Sequence, residues 1–169
     1  MKHLLPLPDN HWPIEIDDLR GSFAGQLNIY RVMAHHPALL KARVPLRKHV
    51  VEGGSLTVRE KEIVILRVAA HWQSAYEQSH HVVRGRKAGL TGQEIDEAQR
   101  GPTAWSGFES ERVLLSNVDR LLCGQPHLVH IAAGEQAAQN ILDLMALVGF
   151  YTTLAFIANT FEVPLDALP

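Results

Sequence analysis

Cysteine is almost missing from this sequence: Cys123 is the single one in 169 residues, and one thiol excludes an intrachain disulfide framework. A basic excess is missing as well. Sixteen Lys and Arg stand against 18 Asp and Glu, for a formal net charge of -2 and a pI near 6.5, so nothing holds a phosphate backbone and nucleic acid is excluded as a partner. The start, Met1-Lys2-His3-Leu4-Leu5-Pro6-Leu7-Pro8, is too short and too proline-broken for a signal-peptide core. Together with the cysteine usage this predicts a cytoplasmic protein. No stretch alternates with a period of two between turn residues, and no repeat, low-complexity tract or linker divides the chain. The expectation is one all-α domain over residues 1–169, with an N-terminal helical segment, 1–51, ahead of a core, 52–169.

What is present is globular: 46% apolar and 20% charged residues, in helical spacing. Leu19 to Ala34 reads as one helix stopping before Pro37, and Ala38 to about Val51 as a second, bent at Pro45. Gly53-Gly54 breaks the chain. Thr57-Val58-Arg59-Glu60 is a capping box opening a helix to about Trp72, and its companion runs from Ala75 to Ala88 with Gly89 as a left-handed cap. Thr91-Gly92-Gln93-Glu94 opens another to Gln99, and Glu109 to Leu122 is amphipathic, with Val113, Leu114, Val118, Leu121 and Leu122 inward. The last helix extends from Gly134 to about Phe161. Its run ILDLMALVGFYTTLAFIA approaches the length of a membrane span but has no basic anchors and carries Asp143. It reads instead as a helix buried on nearly all sides, packed in part against another subunit.

Polar residues stand out at one place. After the apolar helix containing Glu62 comes Tyr76-Glu77-Gln78-Ser79-His80-His81, and at about 100° per residue Ser74, Glu77, Gln78 and His81 share a helix face. An acid and an imidazole on one face make a proton-transfer pair. The residues alone leave alternatives open: Glu62 as an exposed member of Arg59-Glu60-Lys61-Glu62 or turned inward, Glu77 and His81 as a surface i,i+4 pair, and Arg67 as a partner of Glu62 or a receptor for a carboxylate. A metal site on Glu62, Glu77, His80 and His81 competes less well. Zinc favours nitrogen and sulfur ligands, and only two adjacent histidines are on offer.

The pattern Leu56-Thr57-x-Arg59-Glu60-x-Glu62-Ile63-x-Ile65-Leu66-Arg67-Val68-Ala69, then Tyr76-Glu77-x-x-x-His81, then Gly89-Leu90-Thr91, resembles the carboxymuconolactone decarboxylase and alkylhydroperoxidase D superfamily. Gly149-Phe150-Tyr151 and Asn159-Thr160-Phe161-Glu162-Val163-Pro164-Leu165 resemble its C-terminal helix and tail. The resemblance implies an all-helical, alkylhydroperoxidase D-like domain built on an antiparallel helix pair, without a cofactor, assembled as trimers or hexamers. The family's peroxidase branch carries Cys-x-x-Cys in the second helix. Aligned on Glu62 and His81, those cysteines fall at Ser74 and Glu77, which form neither thiolate nor disulfide, so thiol peroxidase activity is not expected. Cys123, at a helix end, reads as a small buried residue.

What the resemblance implies instead is a carboxy-lyase acting on a small carboxylated lactone or related aromatic-catabolic acid. His81 is the expected proton donor, its basicity raised by Glu77 or Glu62. Tyr76, Ser74, Arg67, Trp72 and His80 are the expected substrate-binding residues, with no metal. A relative of the hydroperoxide reductases without thiol activity and a non-catalytic oligomeric small-molecule-binding protein are the alternatives.

Overall fold

The computed structural model describes residues 4–125, 127–128 and 135–167, the last stretch without the side chains of 135 and 136. Every extended regular element among the described residues is helical, as the missing period-two alternation predicts. Two 3-10 turns, Asp9–His11 and Ile14–Leu19, lead into short helices α1, Phe23–Gln26, and α2, Asn28–Met33. Six longer helices follow: α3, Pro37–Glu52; α4, Val58–His71; α5, Ala75–Lys87; α6, Gly92–Arg100; α7, Glu109–Leu122; and α8, Glu135–Thr160. The expected start of the last helix, Gly134, lies outside the described residues.

The predicted single helix from Leu19 to Ala34 does not form. The Ser22 hydroxyl accepts from Ala24 N–H at 3.2 Å and starts α1, and Leu27 is extended at φ -111°, ψ 129° before α2 begins. Gly25 makes the doubling back possible, because a Cβ there would lie 1.8 Å from the Arg20 carbonyl oxygen. Local capping and a close backbone approach override the apolar spacing.

Helix α4 is the centre of the molecule and touches α5, α6, α7 and α8. Val64, Ile65 and Val68 enter the main core with α2, α3 and α8, while Ile63 and Leu66 enter a second cluster with Leu90, Ile95, Trp105 and Leu115. At about 1.5–3 kcal/mol per fully buried aliphatic side chain, this two-sided burial explains an unbroken apolar run in an otherwise amphipathic bundle. Both predicted capping boxes, Thr57/Glu60 and Thr91/Glu94, are formed. Between α4 and α5 the chain reverses in three residues, Trp72 to Ser74, with Gln73 left-handed at φ 51°. The two helices make an αα-hairpin.

Within the single chain, helix α8 is buried on one face only. Leu144, Leu147, Tyr151 and Leu154 belong to the core, whereas Leu142, Met145 and Phe156 are exposed. Its stretch Ala137–Thr160 is long and apolar enough to cross a membrane by length and composition. The buried face shows what that composition does here: it fills the bundle.

Candidate active site

The hairpin brings Glu62 and His81 together. Glu62 lies one turn inside α4 and His81 midway along α5, both on the facing sides, and His81 Nδ1 is 2.7 Å from Glu62 Oε2. His81 is 2% exposed and Glu62 8%; of the two readings open for Glu62, the inward one holds despite its charged neighbours in sequence. The other ring nitrogen, Nε2, is 3.6 Å from Glu77 Oε2, beyond a formed hydrogen bond but within reach after a small shift. Glu77 Oε1 is buried with no hydrogen-bond partner. Tyr151 of α8 sets its ring edge-to-face on His81, centroids 5.0 Å apart. The surface-pair reading of Glu77 and His81 therefore fails.

The environment decides the protonation states. Burial pushes the Glu77 carboxyl up to about 8, with Asp166 and Glu62 adding to the effect and Arg84 opposing it. The same burial lowers the basicity of His81, and it outweighs the hydrogen bond from Glu62, while Arg84 and His80 lower it further. The Glu62 carboxylate does act to raise it, as expected, but the net direction is downward because burial is the larger effect. Desolvation of an imidazolium in a fully enclosed site exceeds the return from one ion pair. At neutral pH the cluster thus holds a neutral imidazole whose Nδ1–H donates to Glu62, an Nε2 lone pair turned to Glu77, and a protonated Glu77.

Two cavities meet at this cluster. A cavity of about 370 Å³ is lined by Glu62, Arg47, Lys61, Arg84, Lys87 and Tyr151 together with valines and Ile65. A narrow one of about 20 Å³ is lined by Tyr76, Glu77, His80 and His81. Arg47, Arg84, Val51 and Tyr151 border both. The larger volume falls within the range of small-molecule sites. Its wall is apolar with a cationic rim.

The other expected site residues divide. Tyr76 and His80 are at the narrow cavity, and both reach Asp166 in the C-terminal tail. The Tyr76 hydroxyl donates to Asp166 Oδ2, His80 Nε2 is 3.0 Å from the same oxygen, and Asn28 N–H donates to Oδ1 at 2.9 Å. Ser74 is fully buried as the N-cap of α5, accepting from Glu77 N–H, so it sets the helix start. Arg67 is turned away: it pairs with Asp119 at 2.5 Å and donates to Gln99 O at 2.7 Å. Glu62 is not its partner, and Arg67 lines neither cavity. Trp72 donates to Thr152 Oγ1 at 3.2 Å and packs on Phe156, lining neither cavity. Cys123 is exposed rather than buried, because α7 ends one residue before it.

Four contributors escaped the sequence reading. Arg84 carried a usable signal, lying three residues after His81 and seven after Glu77 on one helix face. Tyr151 stood in the family-like Gly149-Phe150-Tyr151 pattern with no role attached, and Arg47 and Asp166 carried no signal, since only the tertiary fold brings α8, α3 and the tail to α5. Among the described residues no group of three or more His, Cys, Asp and Glu side chains is placed to hold a metal ion.

The all-helical fold that carries this buried Glu–His–Glu cluster on its central hairpin is alkylhydroperoxidase D-like. Residues 37–119, which contain the whole cluster, match the model of the Carboxymuconolactone decarboxylase family. Among solved structures it is similar to an alkylhydroperoxidase AhpD core, an uncharacterized peroxidase-related protein from Ralstonia eutropha JMP134, with TM-score 0.75 and 18% identity over 98% of this chain and 94% of that one. It is also similar to the debrominase Bmp8, with TM-score 0.68 and 17% identity over 99% and 94% of the two chains. At those identities the likeness is one of fold. No curated protein matches the chain.

Proposed function

We propose that this chain is a cofactor-free carboxy-lyase acting on a small carboxylated lactone or related aromatic-catabolic acid. The observation that carries the reading is the His81 imidazole held between Glu62 at 2.7 Å and Glu77 at 3.6 Å, beside a cation-rimmed cavity. In such a reaction the C–C bond to the carboxylate breaks, CO2 leaves, and the electron pair flows into the conjugated lactone carbonyl as a dienolate. One proton must then reach carbon, so the overall change is RCO2⁻ + H⁺ → RH + CO2. Glu77 stores that proton at neutral pH. His81 Nε2 takes it from Glu77 and passes it to carbon, with the transient imidazolium stabilised by Glu62 through Nδ1–H. The apolar wall disfavours a solvated carboxylate and so helps it leave.

A thiol peroxidase reading has no support at this site, since Ser74 and Glu77 stand where the dithiol of that branch would be. The same reading takes the protein as cytoplasmic and self-associating as a trimer or hexamer. The test is a mass-spectrometric screen of carboxylated lactones and aromatic-catabolic acids for CO2 loss, with His81→Ala as control. Release by the native protein and none by the variant supports the lyase; no release from any acid tested, or equal release by both, removes it.

A further inference from the structure

Cations near the cavities differ in what they hold. Arg59 is bound to Glu94 and Glu111, and Arg67 to Asp119. Lys61, buried on α4, places its ammonium on the carbonyl oxygens of Val51 and Gly53. Arg47 reaches Glu52 at 3.2 Å and stacks on the Phe23 ring. Arg84 differs: half-buried on α5, its guanidinium makes no hydrogen bond or ion pair with any described residue, and unlike the exposed, likewise unpaired Lys87 it borders both cavities. A partly desolvated guanidinium without a partner is costly, and its planar fork is matched to a carboxylate.

Resting on the lyase reading of the cluster, we propose that Arg84 receives the carboxylate of the substrate, and that its occupation drives a proton onto the Glu62–His81–Glu77 cluster. The groups facing that cluster are Lys61 from α4, Tyr76, His80, Arg84 and Lys87 from α5, Tyr30 from α2, Arg47 from α3, Tyr151 from α8 and Asp166 from the tail. Among these, Arg84 holds its positive charge beside both His81 and Glu77, and acts against a proton on each. A bound carboxylate cancels that charge. Both groups then gain proton affinity, and binding of the anion carries a proton in with it. Substrate binding therefore completes the protonation of the cluster and tightens its hold on the proton that Glu77 stores and the second half of the reaction spends.

The experiment is isothermal calorimetry with 5-oxotetrahydrofuran-2-carboxylate, a saturated lactone acid that offers no dienolate route, and with acetate, each at neutral pH in HEPES and in Tris. The difference in observed enthalpy between the buffers reads the protons taken up. Expected are net proton uptake by the native protein, binding weaker by about tenfold or more in Arg84→Gln as befits one lost charge-assisted contact, loss of the uptake in that variant, and retention of both in Arg84→Lys. The methyl ester of the probe should bring no proton. In parallel, imidazole NMR without ligand should show His81 titrating at higher pH in Arg84→Gln than in the native protein, since the variant mimics the neutralised state.

Binding without proton uptake, uptake that persists in Arg84→Gln, an unmoved His81 titration, or no binding by either carboxylate overturns the inference. A protein that takes up probe and proton yet releases CO2 from no acid would refute the lyase and leave the Arg84 coupling standing. CO2 release lost in His81→Ala but untouched in Arg84→Gln would do the reverse.

Discussion

At the scale of single residues, the proposed chemistry depends on a carboxyl kept neutral by burial. Unfolded, Glu77 titrates near 4.5, and folded near 8. Between these values the folded chain keeps a proton that the unfolded chain releases, so this residue makes stability fall as pH rises from about 4.5 through 8. His81 acts on the other side: its folded affinity is depressed below 6.5, so stability falls as pH drops below that value. Glu77→Gln is predicted to remove the alkaline loss, amounting to a few kcal/mol (on the order of one pKa unit per 1.4 kcal/mol). Thermal melts of both proteins at about pH 6 and about pH 9 read it: the native protein should lose more Tm between them than the variant. With a confirmed substrate, His81→Ala should cost about 10²–10⁴ in kcat, the range of a lost general acid–base group. Cys123→Ser should change neither stability nor turnover, since the thiol is exposed and outside both cavities; peroxide reduction that vanishes in this variant would contradict the site. Glu62, Glu77 and His81 were legible in the sequence because helix spacing and family pattern coincide there. Arg67 misled because a cation near an acid in sequence says nothing of which face of α4 it occupies.

Among the elements, the helices from Val58 to Leu122 matched their sequence signals to within a residue or so, because most of their boundaries are encoded locally, by the capping Thr57, Ser74 and Thr91 and by the left-handed Gly89, Gly101 and Gly124. Thr57 is the clearest case, its hydroxyl accepting from Glu60 N–H at 3.2 Å while the Glu60 carboxylate accepts from Thr57 N–H at 2.8 Å. Thr57→Ala should cost about 1 kcal/mol, measured by urea denaturation with an unchanged m-value. Arg59, one turn on, ties this end of α4 to α6 through Glu94 and to α7 through Glu111 at 2.7 Å. Arg59→Ala should destabilise by more than a surface pair does, because it leaves the buried Glu111 without its cation; an unchanged denaturation midpoint would show that the three-helix clamp carries nothing. The N-terminal third was less legible. Its breaks at Ser22 and Leu27 answer to Gly25 meeting Arg20 and to Arg31 donating to Gly25 O at 2.8 Å, contacts made by the folded chain and not by periodicity.

Across the whole molecule, the outer face of α8 remains apolar, with Leu142 64%, Met145 38% and Phe156 48% exposed, and Gly149 between them opening onto free space. This stripe is predicted to drive self-association, so that light scattering at micromolar concentration shows an oligomer, and Leu142→Glu with Phe156→Glu shifts it toward monomer. A native monomer would dismiss it. The tail latch at Asp166 has a consequence of another kind, for the order in which the protein comes together. The Glu62–His81 contact spans 19 residues, but Asp166 reaches Tyr76 across 90 and Asn28 across 138. Short-range contacts close early and long-range ones late. The hairpin that pairs acid and imidazole is therefore expected to close before the tail does, and the Asp166 carboxylate, which adds to the upward push on Glu77, arrives last. On the proposed reading, the proton store of the site is complete only once the tail has docked.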